Sequence, residues 1–317
     1  ISKQNMDLSA KPGKDFYEYS AGGWMKAHPL TPEYTRFGQF DQLHENNQAQ
    51  VRELIEDLAK HPQAKGTLGQ KIGSLYNLAM DSVRRNREGI APLRPVLAKV
   101  RDIKSKKDYQ LVVAQLDRKG AAAMMFDFGI SADIRNAAMN LVNISQGGIS
   151  LGERDYYLND DSTTVKVRNA YKAYIKKLFT MVGDDQSTAE KKMQAVMAIE
   201  TQIAKASYSA TQLRDVEGNY HKMSYAQLLK DFPGIDWEAT RTALGFPTFQ
   251  EVTVNQIEPL HEVEKILNDY TLDDLKAYAE FKVIDAAANA LDDNFRAASF
   301  DFYSKTMSGA QQDRPRW

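Results

Sequence analysis

Apolar side chains that return every third or fourth position, over long stretches, constrain this chain more than any other feature. Such spacing lines one face of an α-helix and has to be buried against something. It is sustained through residues 163–183, 187–206 and 271–299. From 40 to 60 it is carried by Phe40, Leu43, Val51, Leu54, Ile55 and Leu58, and from 68 to 86 by Ile72, Leu75, Tyr76, Leu78 and Ala79. Residues 92–101 read as a short helix, and Ser105 to Lys119 as another with Tyr109, Val112, Val113 and Leu116 inward. The texture changes around 124–130 and 140–145, where β-prone pieces bounded by glycine predict a small hairpin or sheet. "EVTVNQ" adds a short strand. Helix returns in "FPGIDWEATRTALGFP" and "IEPLHEVEKILNDY", and after Ser224 and Thr271, both suited to cap a helix start. "LGERDYYL" reads as a loop. The fold class is mainly α with a minor β element.

The length of 317 residues suits one large domain or two moderate ones. A formal net charge of −1 gives no global field toward nucleic acid or an anionic membrane, so no nucleic-acid partner is expected. No apolar run is long enough to cross a bilayer. Cysteine is absent, which excludes disulfides and thiolate chemistry and leaves only His, Asp and Glu for any metal. The sequence begins at Ile1 rather than Met, as a chain does after loss of a signal peptide or after trimming. It stops on Trp317, a large aromatic where a frayed polar tail is usual, which suggests a cut inside a longer protein.

Residues 261–265, "HEVEK", begin like the HExxH motif of a zinc peptidase and end differently. That motif puts two imidazoles four apart on one helical face, and Lys265 sets a cation where the second must sit. The five histidines, His28, His44, His61, His221 and His261, include no pair three or four apart. No GxSxG elbow or P-loop is present. Adjacent acids at Asp160-Asp161, Asp184-Asp185 and Asp292-Asp293 diverge on a helix or turn, so they read as helix starts or surface turns rather than paired catalytic carboxylates.

Five segments in order carry a resemblance. They are "DFYEYSAGGW" (15–24), "RFGQFDQL" (36–43), "LGERDYYL" (151–158), "YHKMSYAQL" (220–228) and "FDFYSKTMSGAQQDRPRW" (300–317). Together they resemble the N-terminal region of the neprilysin and endothelin-converting-enzyme family of zinc metallopeptidases. Relatives with cysteines near the first segment have Gly13 and Ala21 in their place here, which points to a bacterial member.

The resemblance implies two largely helical lobes around a chamber, one thermolysin-like (gluzincin-type) and zinc-bearing, the other a multi-helical cap. It implies that residues 1–244 form the cap lobe and that 245–317 begin the catalytic lobe. The zinc motif would follow Trp317, so zinc belongs to the full-length enzyme and this chain holds no metal ligand and no catalytic residue. HEVEK is then a surface helix segment. The whole enzyme would cleave peptides on the amino side of large apolar residues, with a zinc-activated water and a glutamate base. Within "RFGQFD", Arg36 matches an arginine that binds a substrate carboxylate on the primed side, a task suited to its planar fork. Asp41 matches an acid lining the same region that could orient Arg36 or meet a basic substrate, and His44 stands where neprilysin has a second arginine. The bland alternative is that Arg36 and Asp41 only tie a loop to a helix start. Trp24, Tyr156, Tyr157 and Trp317 are expected to bury apolar surface, Arg154 and Asp155 to pair in a turn, and Gly22-Gly23 to allow close backbone. The partners implied are peptide substrates and the C-terminal catalytic part of the same protein, in an extracytoplasmic setting. The competing reading is a non-catalytic helical binding module on the same scaffold, distinguished by whether HExxH and ExxxD follow.

Overall fold

The computed structural model describes residues 2–61 and 63–315. Among them are fourteen α-helices and four strands, so the molecule is mainly helical. They fall into two compact units, Ile1–Arg84 with Tyr303–Trp317, and Arg85–Phe302.

The first unit is built on α1 (Phe16–Ala27), α2 (Gln39–Lys60) and α3 (Leu68–Met80). Asp15 caps α1 by accepting the Glu18 N–H at 2.9 Å. The glycine pair is needed where α1 meets the N-terminal segment. A Cβ on Gly23 would lie 2.4 Å from the Gln4 carbonyl oxygen and 2.7 Å from that of Met6. Gly73 likewise lets α3 approach the backbone of α2, where a Cβ would meet the Leu58 carbonyl oxygen at 2.7 Å. The helix expected over 68–86 is interrupted. Asp81 leaves helical geometry and its carboxylate accepts the Arg84 N–H at 2.9 Å, starting α4 (Ser82–Glu88) afresh. The apolar residues of α2 take the predicted spacing, but only Ile55 and Leu58 are half-covered; Phe40 is 88% exposed and Leu54 66%.

The second unit holds the core. Its helices are α5 (Arg94–Arg101), α6 (Lys106–Asp117), α7 (Asp155–Leu158), α8 (Ser162–Met181), α9 (Gln186–Ala206), α10 (Tyr225–Asp231), α11 (Trp237–Leu244), α12 (Ile257–Asp269), α13 (Leu272–Ala287) and α14 (Asp293–Ser299). Its strands are β1 (Phe126–Asp133), β2 (Asn136–Gln146), β3 (Lys222–Ser224) and β4 (Glu251–Val254). The sheet runs in the order β1-β2-β4-β3, with β2 and β4 parallel and the other pairs antiparallel. One face carries Val142, Ile144, Val252 and Val254 into the core. The opposite face is polar, with Asn143, Thr253 and Lys222 in register across three strands.

Helix α13 is the axis of this unit and packs against α5, α6, α8 and α9. Leu275, Tyr278, Phe281 and Ile284 are fully buried on it. Burying a side chain such as Phe281 contributes about 1.5–3 kcal/mol. Two charges are buried with them. Glu280 accepts from Arg101 Nε and Lys192 Nζ, both at 2.7 Å, so its charge is paired inside.

Several sequence expectations change here. The helix over 271–299 breaks after α13 into a 3-10 turn, and Asp292 recaps α14 by accepting the Asn294 and Phe295 N–H groups. "LGERDYYL" is not all loop, since Asp155–Leu158 make one helical turn. Strand β3 was not anticipated. The acidic pairs do start helices: Asp161 and Asp185 cap α8 and α9. Tyr157 is buried, whereas Trp24 and Tyr156 are half-covered, and Trp317 lies outside the described residues. Arg154 does not rely on Asp155, from which it stands 4.0 Å; it donates to the Ser207 carbonyl at 2.6 Å. Gly245, in left-handed geometry, ends α11.

Candidate functional site

Two of the quoted segments meet inside the first unit, and residues of a third contact the loop between them. Trp24 of α1 stacks on His28 at 4.4 Å between ring centroids, and Phe37 extends the stack at 6.2 Å from Trp24. Tyr34 meets Phe37 edge-on at 5.0 Å. The Arg314 guanidinium lies 4.4 Å over the Tyr34 ring. The Gln311 and Gln312 N–H groups both donate to the Pro32 carbonyl, at 2.9 and 3.1 Å. Residues 311–314 are thus clamped to the loop that precedes α2, and that loop presents Arg36.

Gly38 has extended backbone and caps α2, and its N–H donates to Asp41 Oδ2 at 2.8 Å. Asp41 is therefore committed to the helix start. Arg36 is exposed, and among the described residues it forms no hydrogen bond or ion pair, so no ion pair joins it to Asp41. His44 is exposed on the next turn of α2. Asp41 thus holds a helix end, and the Arg36 guanidinium has no partner among the described residues.

The histidines of HEVEK and of the neighbouring segments are each engaged locally. In HEVEK, His261 Nδ1 is 3.0 Å from Glu264 and its ring lies 4.5 Å from that of Phe232. Lys265 donates to Glu262 at 2.9 Å, neutralising the would-be base on the helix surface. His28 Nδ1 faces the Trp24 carbonyl at 2.9 Å, and His221 Nδ1 the Val254 carbonyl at 3.0 Å. Among the described residues no three His, Cys, Asp or Glu side chains converge as a metal site would require.

Sequence reasoning missed a buried polar cluster that holds "LGERDYYL" in place. Glu200 of α9 is fully buried and accepts from Ser150 Oγ (2.7 Å), Tyr157 OH (2.7 Å) and Tyr171 OH (2.8 Å). Lys282 of α13 donates to Ser150 Oγ at 3.0 Å. Burial pushes the Glu200 carboxyl above its ordinary range, against the pull of the Lys282 charge and the three hydroxyls. Tyr157 also accepts the Ser150 and Leu151 N–H groups, both at 3.1 Å. The available signal was a glutamate on the apolar face of a helix, between Val196 and Ile203. Its role is structural.

The sequence profile of the N-terminal region of peptidase family M13 matches residues 12–317. The chain belongs to peptidase family M13. Its M13 relatives include rat endothelin-converting enzyme 1, 27% identical over 99% of this chain and 42% of that protein. Among solved structures, the Mycobacterium tuberculosis zinc metalloprotease Zmp1 in complex with inhibitor superposes with a TM-score of 0.94 at 29% identity, covering all of this chain and 48% of that one. PepO from Lactobacillus rhamnosis HN001 shares the fold, with a TM-score of 0.77 at 18% identity over 97% of this chain and 48% of its own. The chain thus spans less than half the length of these proteins.

Proposed function

We propose that this chain is the N-terminal part of a zinc-dependent endopeptidase of bacterial origin that hydrolyses peptides on the amino side of large apolar residues. The cap lobe comprises residues 1–244, the catalytic lobe begins with 245–317, and the zinc ligands lie on later sequence. This chain shapes the chamber and contributes Arg36 to the primed side, where it binds a peptide carboxylate, with Asp41 holding the loop that presents it. An extracytoplasmic setting belongs to the same reading. The partner is the C-terminal part of the same protein.

The exposed guanidinium of Arg36, without a partner among the described residues and held on a clamped loop in a family of peptidases, carries this reading. A second observation supports the partner. Exposed large apolar side chains gather in the first unit, on α2 (Phe40, Leu43, Leu54) and α3 (Leu68, Leu75, Leu78). Exposed apolar side chains of this number are what a further lobe would cover.

The test is Arg36→Ala in the full-length enzyme, assayed on one peptide with a free C-terminal carboxylate and on its amide. A lost hydrogen bond between charged groups costs about 1.5–3 kcal/mol, so KM for the free acid should rise roughly tenfold to a hundredfold. The amide should be nearly unaffected. Equal loss on both peptides would overturn the role assigned to Arg36.

A further inference from the structure

The polar face of the sheet carries a cavity of about 240 Å³ inside the second unit. Its floor includes Asp133, Asn143, Thr253 and Asn255. Its rim is apolar, with Ile134 and Val216 each more than half exposed and Leu213 beside them. The volume is below the roughly 300–1,000 Å³ typical of pockets that take a whole drug-sized ligand. It suits a single side chain.

The hydrogen-bonding capacity left on the floor is weighted toward acceptors. Thr253 is 2% exposed, and its hydroxyl has no partner among the described residues. A buried polar group left unpaired is costly and asks for a ligand or water. Asn143 spends both amide N–H groups, on Ser131 Oγ at 2.8 Å and the Leu141 carbonyl at 2.9 Å, leaving its oxygen. Asn255 donates to Ser145 Oγ at 2.7 Å. Asp133 is 4% exposed; its Oδ1 takes the Arg135 N–H and Tyr220 hydroxyl at 2.9 Å, while Oδ2 has only Lys222 at 3.4 Å. Asp133 is the one carboxylate among the residues lining the cavity. The oxygens left on the floor outnumber its spare donors, the Thr253 hydroxyl and the second Asn255 amide N–H.

We propose that this cavity binds an arginine-type side chain, with the guanidinium on the floor and the aliphatic stem along Ile134, Leu213 and Val216. A guanidinium brings five N–H donors in a planar fork, which matches several separated acceptors. Its stem is apolar and covers an apolar rim while the charge stays hydrogen-bonded. The proposal stands apart from the peptidase reading, since it needs neither zinc nor catalysis.

The test is calorimetric titration of the chain with Nα-acetyl-arginine N-methylamide, alongside the lysine and norleucine counterparts. Saturable one-to-one binding of the arginine compound is expected, with no binding of the norleucine compound. Thr253→Val keeps the side-chain volume and should weaken binding about tenfold, the loss of one hydrogen bond to a charged group. Asp133→Asn should abolish it. Because Asp133 also braces a turn, circular dichroism of each variant accompanies the titration, and Thr253→Val decides if Asp133→Asn misfolds. Absence of saturation, equal binding of the norleucine compound, or unchanged affinity in Thr253→Val would overturn the site. Equal binding of the lysine compound would overturn its assignment to a guanidinium.

Discussion

Arg36 and Asp41 are neighbours in sequence with separate consequences. The carboxylate of Asp41 closes the start of α2 through the Gly38 N–H. Asp41→Ala should therefore lower stability by about 0.5–1 kcal/mol, as other lost caps do, in urea unfolding of the chain. Arg36→Ala should leave the same curve in place, because its side chain holds nothing within the described residues. The reverse result would mean that the arginine is the brace. Both residues were legible as candidates from "RFGQFD", but their division of labour was not. A pattern of residue types does not tell which backbone N–H a carboxylate will find.

Elements were read well where periodicity is strong and poorly where a single cap interrupts it. α8 and α9 fall within a residue or two of the stretches read from spacing. Asp81 and Asp292 each cut a continuous apolar pattern, because their carboxylates satisfy N–H groups of a new helix. The spacing of apolar residues carries no mark of that competition. Glu200 on α9 offers a sharper test. Its carboxyl is pushed up by burial, so the folded state holds that proton more tightly than the unfolded state does. The stability this contributes is full below the ordinary glutamate range and is lost as pH rises through the raised value. Thermal unfolding of Glu200→Gln against the parent chain should show the variant gaining ground as pH rises through that window. A constant difference across pH would mean that Glu200 is not desolvated. Gly23 offers another. Gly23→Ala would drive a Cβ into the Gln4 and Met6 carbonyls, and overpacking of this kind costs about 1–3 kcal/mol, measurable as a lowered melting temperature.

At the scale of the molecule, the sequence motifs and the fold agree on peptidase family M13. The mainly helical class followed from periodicity alone. The division into units did not, because one of them joins residues 1–84 to 303–317 across the whole intervening chain. The uncovered apolar faces of α2 and α3 are intelligible if a further lobe packs there. The central claim is that the chemistry of this protein lies outside this chain while the chain shapes and orients its substrate. The direct measurement is zinc content and peptide turnover of the 317-residue chain beside those of the full-length protein. The account predicts no bound zinc and no turnover for the chain, and one zinc with turnover for the full-length protein. Stoichiometric zinc or hydrolysis by the chain alone would contradict it.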